Sequence, residues 1–99
     1  MSLPVLIQDE AEKDLDKIIA YYYEAGAGYE VIEFLKKKLL EMIDFIELFP
    51  EFRNIREKDI RIAQLADFPL LVAYRIRTNH VSIIAISHSA RQDLIWKNR

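Results

Sequence analysis

The residues of this chain able to do chemistry near neutral pH are few, and most are cationic. Arg61 lies in "DIRIAQL" (59–65), Arg75 and Arg77 in "FPLLVAYRIR" (68–77), and His88 just past "VSIIAIS" (81–87). The last stretch, "AISHSARQDLIWKNR" (85–99), adds Arg91, Trp96, Lys97 and Arg99. A guanidinium fork suits phosphate or carboxylate, and an imidazole exchanges a proton near neutral pH. Trp96 either stacks on a base, fills a pocket on a partner protein, or pins the tail to the sheet. Arg75 and Arg77 likewise have two readings, recognition of an anion or pairing with acids across the sheet. Other chemistries find no frame. Ser87, His88 and Asp93 make a triad only on paper, with no nucleophile elbow or glycine-built oxyanion hole beside them. His80 and His88 fall near opposite ends of one strand, which argues against a shared metal. No Gly-rich phosphate loop, carboxylate-rich cation loop or HExxH pattern occurs. Neither a metal nor any other cofactor is expected, nor a small-molecule ligand.

Composition narrows the class. The 99 residues suffice for one domain over 1–99 with a single core. With no cysteine, disulfides and thiolate chemistry are excluded, and packing must supply the stability. No apolar run approaches the roughly 18 residues of a membrane span, and no signal-peptide layout opens the chain, so a cytoplasmic protein without membrane contact is expected. The formal net charge of -2 hides an asymmetry. Residues 1–48 carry five Lys against eleven acids, while residues 49–99 carry nine Lys or Arg against five acids. A basic second half either steers an anionic partner or is simply a solvated surface.

The elements that must position these residues follow from periodicity. "LPVLIQ" (3–8) reads as an edge strand, with Pro4 near its start. Asp9 then reads as an N-cap, and Ala11, Leu15, Ile18, Ile19 and Tyr22 share one helical face up to about Ala25. "GAG" (26–28) stops this helix. Val31, Ile32, Leu35, Leu39, Met42, Ile43 and Ile46 form the stripe of a second helix that ends before Pro50. The two helices make an antiparallel hairpin with one apolar side. Of the three tyrosines 21–23, Tyr22 belongs to the core and the others to the rim, and Lys36, Lys37 and Lys38 form a solvated flank. After a loop, "FPEFRNIREK" (49–58), the three runs quoted above alternate as strands, with Thr78-Asn79-His80 as a hairpin turn. The predicted order is β-α-α-β-β-β, an α+β fold with the helices on one face of a twisted antiparallel sheet.

Four stretches in this order, "A..DL..I..YY", a long helix ending in "LFP", "IR...L..FPLLVAYRI" and "I.ISHSARQDLIWKNR", resemble the ParE/RelE toxin superfamily, and more closely its ParE or plasmid-stabilisation branch. The resemblance implies the toxin of a type II toxin-antitoxin module, neutralised by a cognate antitoxin. In the RelE-like branch it implies a ribosome-dependent mRNA endoribonuclease, for which Arg61, Arg75 or Arg77, and His88 are the candidate catalytic groups. Lys58 is a poor stand-in for that branch's loop lysines. Trp96 and Ser89 stand where a nuclease places ionisable tyrosines. In the ParE-like branch it implies a non-catalytic inhibitor of DNA gyrase, with Arg61, Arg77, His88, Arg91, Trp96 and Arg99 as candidate target-binding residues. The ParE-like reading is the one adopted. The ribosome and mRNA are the alternative target, and a degenerate toxin that only binds antitoxin is a third reading. An apolar strip of Phe34, Phe45, Leu48, Phe49 and Phe52 is the expected antitoxin contact, its alternative role being to close the edge of the core.

Overall fold

The computed structural model describes residues 2–89, 95, 96 and 99. Helix α1 (Asp9–Glu24) carries Asp9, Glu10 and Glu12 in its first turn, where acids complement the helix dipole. Its N-cap is Gln8, one residue before the expected Asp9, and makes no capping bond. The Gln8 side chain instead donates from Nε2 to Ser82 Oγ at 2.6 Å. The helix ends where the Ala25 N–H closes on the Tyr21 carbonyl (2.9 Å) and Gly26 takes φ 90°, a backbone geometry that suits a residue without Cβ. Helix α2 (Tyr29–Leu48) follows and buries Ile32, Leu35, Leu39 and Ile46, the expected stripe.

Strand β1 (Val5–Ile7) precedes the hairpin, and β2 (Ile55–Glu57), β3 (Ile60–Gln64), β4 (Leu70–Ile76) and β5 (Val81–His88) follow it. They form one sheet in the order β1-β5-β4-β3-β2. Two features depart from expectation. The stretch taken as a loop contains the short edge strand β2, paired antiparallel to β3 through a shifted register. Ile55, Arg56 and Glu57 lack the apolar alternation that signals a strand, and pairing with β3 supplies what the pattern does not. Strand β1 runs parallel to β5, so the sheet is mixed rather than purely antiparallel. The two intervening helices and three strands give the chain ample length for that crossover. The α+β class and the placement of both helices on one face stand as expected.

Each face of the sheet has its own apolar cluster. On the helix side Val72 and Tyr74 of β4 and Val81, Ile83 and Ile86 of β5 meet Ala11, Leu35, Leu39 and Ile46. On the outer side Ile60, Ala73, Ile84 and Ala85 are closed over by Trp96. A bulge in β5 makes this division possible. Ala73 pairs with Ala85 but Tyr74 pairs with Ile83, which leaves Ile84 as the extra residue. Strict alternation from Ile83 would turn Ala85 and Ser87 toward the helices. The bulge instead shifts the phase, so that Ile86 joins the helix-side core and His88, opposite the buried Leu70, shares that face.

The stripe on α2 is directly testable. Ile46→Ala should destabilise the protein by about 2–5 kcal/mol, whereas Leu40→Ala, at a site 61% exposed, should change stability by less than about 0.5 kcal/mol. Chemical denaturation of both variants checks this, and equal losses would contradict the burial pattern.

Candidate functional site

Strand β1 is so short that β5 is paired on that side only up to Ile83. The groups beyond it would be bare, yet they are held. Ile86 N–H donates to Asp14 Oδ2 at 3.1 Å, and the Ile84 carbonyl accepts from Arg99 Nη1 at 3.2 Å. Arg99 in turn grips Asp14 in a fork, Nη1 to Oδ2 at 2.5 Å and Nη2 to Oδ1 at 3.2 Å, while its Nε reaches Glu10 at 2.7 Å. A carboxylate from α1 and the guanidinium at position 99 thus take the place of a neighbouring strand. Both side chains are largely buried, which strengthens the pair relative to one on open surface.

In this geometry Trp96 and Arg99, expected as target contacts, are packed against the fold. Trp96 is only 3% exposed and fills the outer cluster, the pinning alternative raised by its sequence. Arg99 is engaged by Asp14 and Glu10. Arg75 and Arg77 also meet an acid, Asp59, at 3.3 and 3.6 Å, and Arg75 Nη1 contacts the Arg99 carbonyl at 3.4 Å. Arg91 lies outside the described residues, as do Lys97 and Asp93.

The three candidate nuclease groups are dispersed. Arg61 pairs with Tyr74 on the helix side, and its guanidinium donates to the Arg53 carbonyl. Arg75 pairs with Ile60 and belongs to the outer side. His88 pairs with Leu70, five positions before Arg75 along β4, or roughly 17 Å at strand rise. It lines a cleft of about 570 Å³ together with Lys17, Tyr21, Ser87 and the Asp14–Arg99 pair. No single phosphate could reach Arg61, Arg75 and His88 together.

The aromatic strip divides into two parts. Phe34 packs its ring 5.8 Å from Phe68, under the Lys38 ammonium. Further along α2, Phe45 meets Phe49 at 5.1 Å and Phe52 at 4.7 Å, and Phe52 stacks on Tyr74 at 6.4 Å. Phe52 is half-buried against the core, so closing the core edge is part of its work. Phe45, Leu48 and Phe49 remain about half exposed around a shallow apolar depression. Beneath them Tyr74 is fully buried, and its hydroxyl donates to the Pro50 carbonyl at 2.8 Å. Burial raises its pKa above the ordinary 10.0, against the opposing pull of the Arg61 charge.

Reading the residues individually missed Asp14, Arg53 and Arg56. Asp14 had a signal, because it stands in the apolar stripe of α1 between Ala11 and Ile18, where an unpartnered acid would be costly. Arg53 and Arg56 fell in the stretch taken as a loop.

A helix hairpin on one face of a small mixed sheet, with an exposed aromatic ledge and cations on the strands, defines a small α+β protein. The sequence profile described as "ParE toxin of type II toxin-antitoxin system, parDE" matches residues 5–93, and the chain belongs to that family. A solved structure described as "Chromosomal ParDE TA system from P. aeruginosa" shares the fold with a TM-score of 0.76 at 18% identity, covering 88% of this chain and 96% of that one. Among curated proteins, none matches the sequence.

Two predictions test the site. Arg99→Ala and Asp14→Ala should each cost about 1.5–3 kcal/mol, and the double variant should cost clearly less than their sum. A double-mutant cycle by urea denaturation measures this, and simple additivity would refute the clamp. The second concerns pH. Because the folded pKa of Tyr74 is raised, its contribution to stability is intact below about pH 10 and is lost as pH climbs through the folded value. Lys38, also raised, chiefly by its hydrogen bond to Asp67, acts in the same direction in any variant that keeps it. Denaturation midpoints above pH 10 should therefore fall more steeply for the wild type than for Tyr74→Phe, and parallel curves would contradict the assignment.

Proposed function

We propose that this toxin acts without catalysis, by binding DNA gyrase, and that a cognate antitoxin neutralises it. The observation that carries the reading is the dispersal of Arg61, Arg75 and His88 over two faces and roughly 17 Å of sheet. Cleavage of RNA by attack of its 2′-hydroxyl needs a proton acceptor, a proton donor and a cation around one phosphate. A binding toxin needs only a presented surface. On this reading the surface centres on the end of β5, with His88 and Arg91 as contacts, while Arg61 on β3 and Arg77 beside the start of β5 are separate charged contacts further along the sheet. Trp96 and Arg99 serve it by holding the tail in place.

The antitoxin is proposed to lie along α2 over Phe34, Phe45 and Phe49, with Phe52 as the floor. Half-exposed aromatic side chains in a row at helical spacing offer the anchors that an amphipathic segment uses. The solved neighbour of this fold is described as a ParDE TA system.

Expression of the wild type beside a His88→Ala/Arg91→Ala variant tests the target. Growth arrest with blocked DNA supercoiling and intact mRNA, relieved by at least tenfold in viable counts in the variant, is the expected result. Ribosome-dependent mRNA cleavage would place the protein in the nuclease branch, and absence of arrest would identify a degenerate toxin. Co-expression with the antitoxin from the same module tests the ledge, where Phe45→Asp/Phe49→Asp should abolish rescue while leaving arrest intact.

A further inference from the structure

At the β2 edge of the sheet stand two cations, Arg53 and Arg56, to which the roles above assign no contact. Beside the patch closed by Trp96 runs a groove of about 240 Å³, floored by Ile62 and Leu71 and rimmed by Arg53, Asn54, Arg56 and Gln64. No carboxylate lines it among the described residues. Neither Arg53 nor Arg56 forms an ion pair among those residues, unlike Arg75, Arg77 and Arg99. Each instead rests on an aromatic ring, Arg53 over Phe52 at 5.3 Å and Arg56 over Trp96 at 6.0 Å. Stacking restrains a guanidinium plane while leaving its N–H edge available to an anion. The Arg61 guanidinium, bonded to the Arg53 carbonyl, steadies the loop from beneath.

We propose that this groove binds the phosphodiester backbone of a nucleic acid strand, with Arg53 and Arg56 on phosphate oxygens and the Asn54 and Gln64 carboxamides facing a base edge. An acidic peptide fits less well. The neighbouring edge strand β2 has three residues and a shifted register, too little to add a peptide strand by backbone pairing. Carboxamides present a donor beside an acceptor, which matches a base edge, whereas carboxylate side chains offer acceptors alone. The inference does not rest on gyrase being the target.

The test is anisotropy of a short fluorescein-labelled DNA strand with the full chain across a salt series. For Arg53→Gln/Arg56→Gln the apparent Kd should rise about tenfold, and the log–log salt slope should shrink by about 1.4, two phosphate contacts' worth on a single strand. Arg53→Lys/Arg56→Lys should keep the slope, because the charges remain, and far-UV circular dichroism confirms that each variant is folded. Lys36→Gln should change Kd by less than about twofold, since that lysine lies on the helix layer and already faces Glu33. No binding by the wild type at low salt, or an unchanged slope in the glutamine variant, would overturn the proposal. So would binding of a poly-glutamate peptide with the same arginine dependence while DNA does not bind. Because no gyrase is present, the result is independent of any supercoiling assay.

Discussion

The unpaired length of β5 is the constraint from which much of this structure follows. A strand edge left open inside a packed layer would strand donors and acceptors, at a cost comparable to a lost hydrogen bond for each. The polypeptide meets this demand with side chains. Asp14 answers the Ile86 N–H, Arg99 answers the Ile84 carbonyl, and the two answer each other. That arrangement ties the first helix, the central strand and position 99 into one unit, and it blocks the edge against pairing with another chain.

Anchoring the tail has consequences on the other face. With position 99 fixed beside α1, Trp96 comes to lie across Ala73, Ile84 and Ala85, and an otherwise half-covered sheet gains an outer cluster. The β5 bulge is complementary to this, because it turns both Ile84 and Ala85 outward to receive the indole. The same bulge carries His88 to the helix side, beside Lys17 and Tyr21 of α1. One inserted residue thus separates the histidine from the outer-face arginine, and so bears on chemistry as well as packing.

Sequence periodicity captured the elements whose burial has a regular period. Both helices, the three long strands and the placement of the helix hairpin followed from stripes such as Leu35, Leu39 and Ile46. The order and spacing of short motifs also pointed to the family to which the chain belongs. What escaped was set by long-range partners. Strand β2 has no alternation of its own and exists through β3, and the parallel partner of β1 lies more than seventy residues away. Arg75, Arg77 and Arg99 look alike in sequence to Arg53 and Arg56, and only the fold reveals that Asp59 and Asp14 engage the former group. That Trp96 is buried in the outer cluster is likewise visible only in the fold.

Charge is the remaining thread, and here distance decides. All eleven acids of residues 1–48 lie in the two helices, so the helix layer carries the negative excess. The cations of the second half belong to the sheet, its connecting segments and the tail. The shortest extent of the molecule is 22 Å, whereas charges in physiological salt are screened over about 8 Å. An anion approaching the outer face therefore meets the local arginines and hardly feels the acids behind the sheet. A net charge of -2 is no obstacle to binding an anion on that face, because the relevant quantity is which cations lack an acid within a few ångströms.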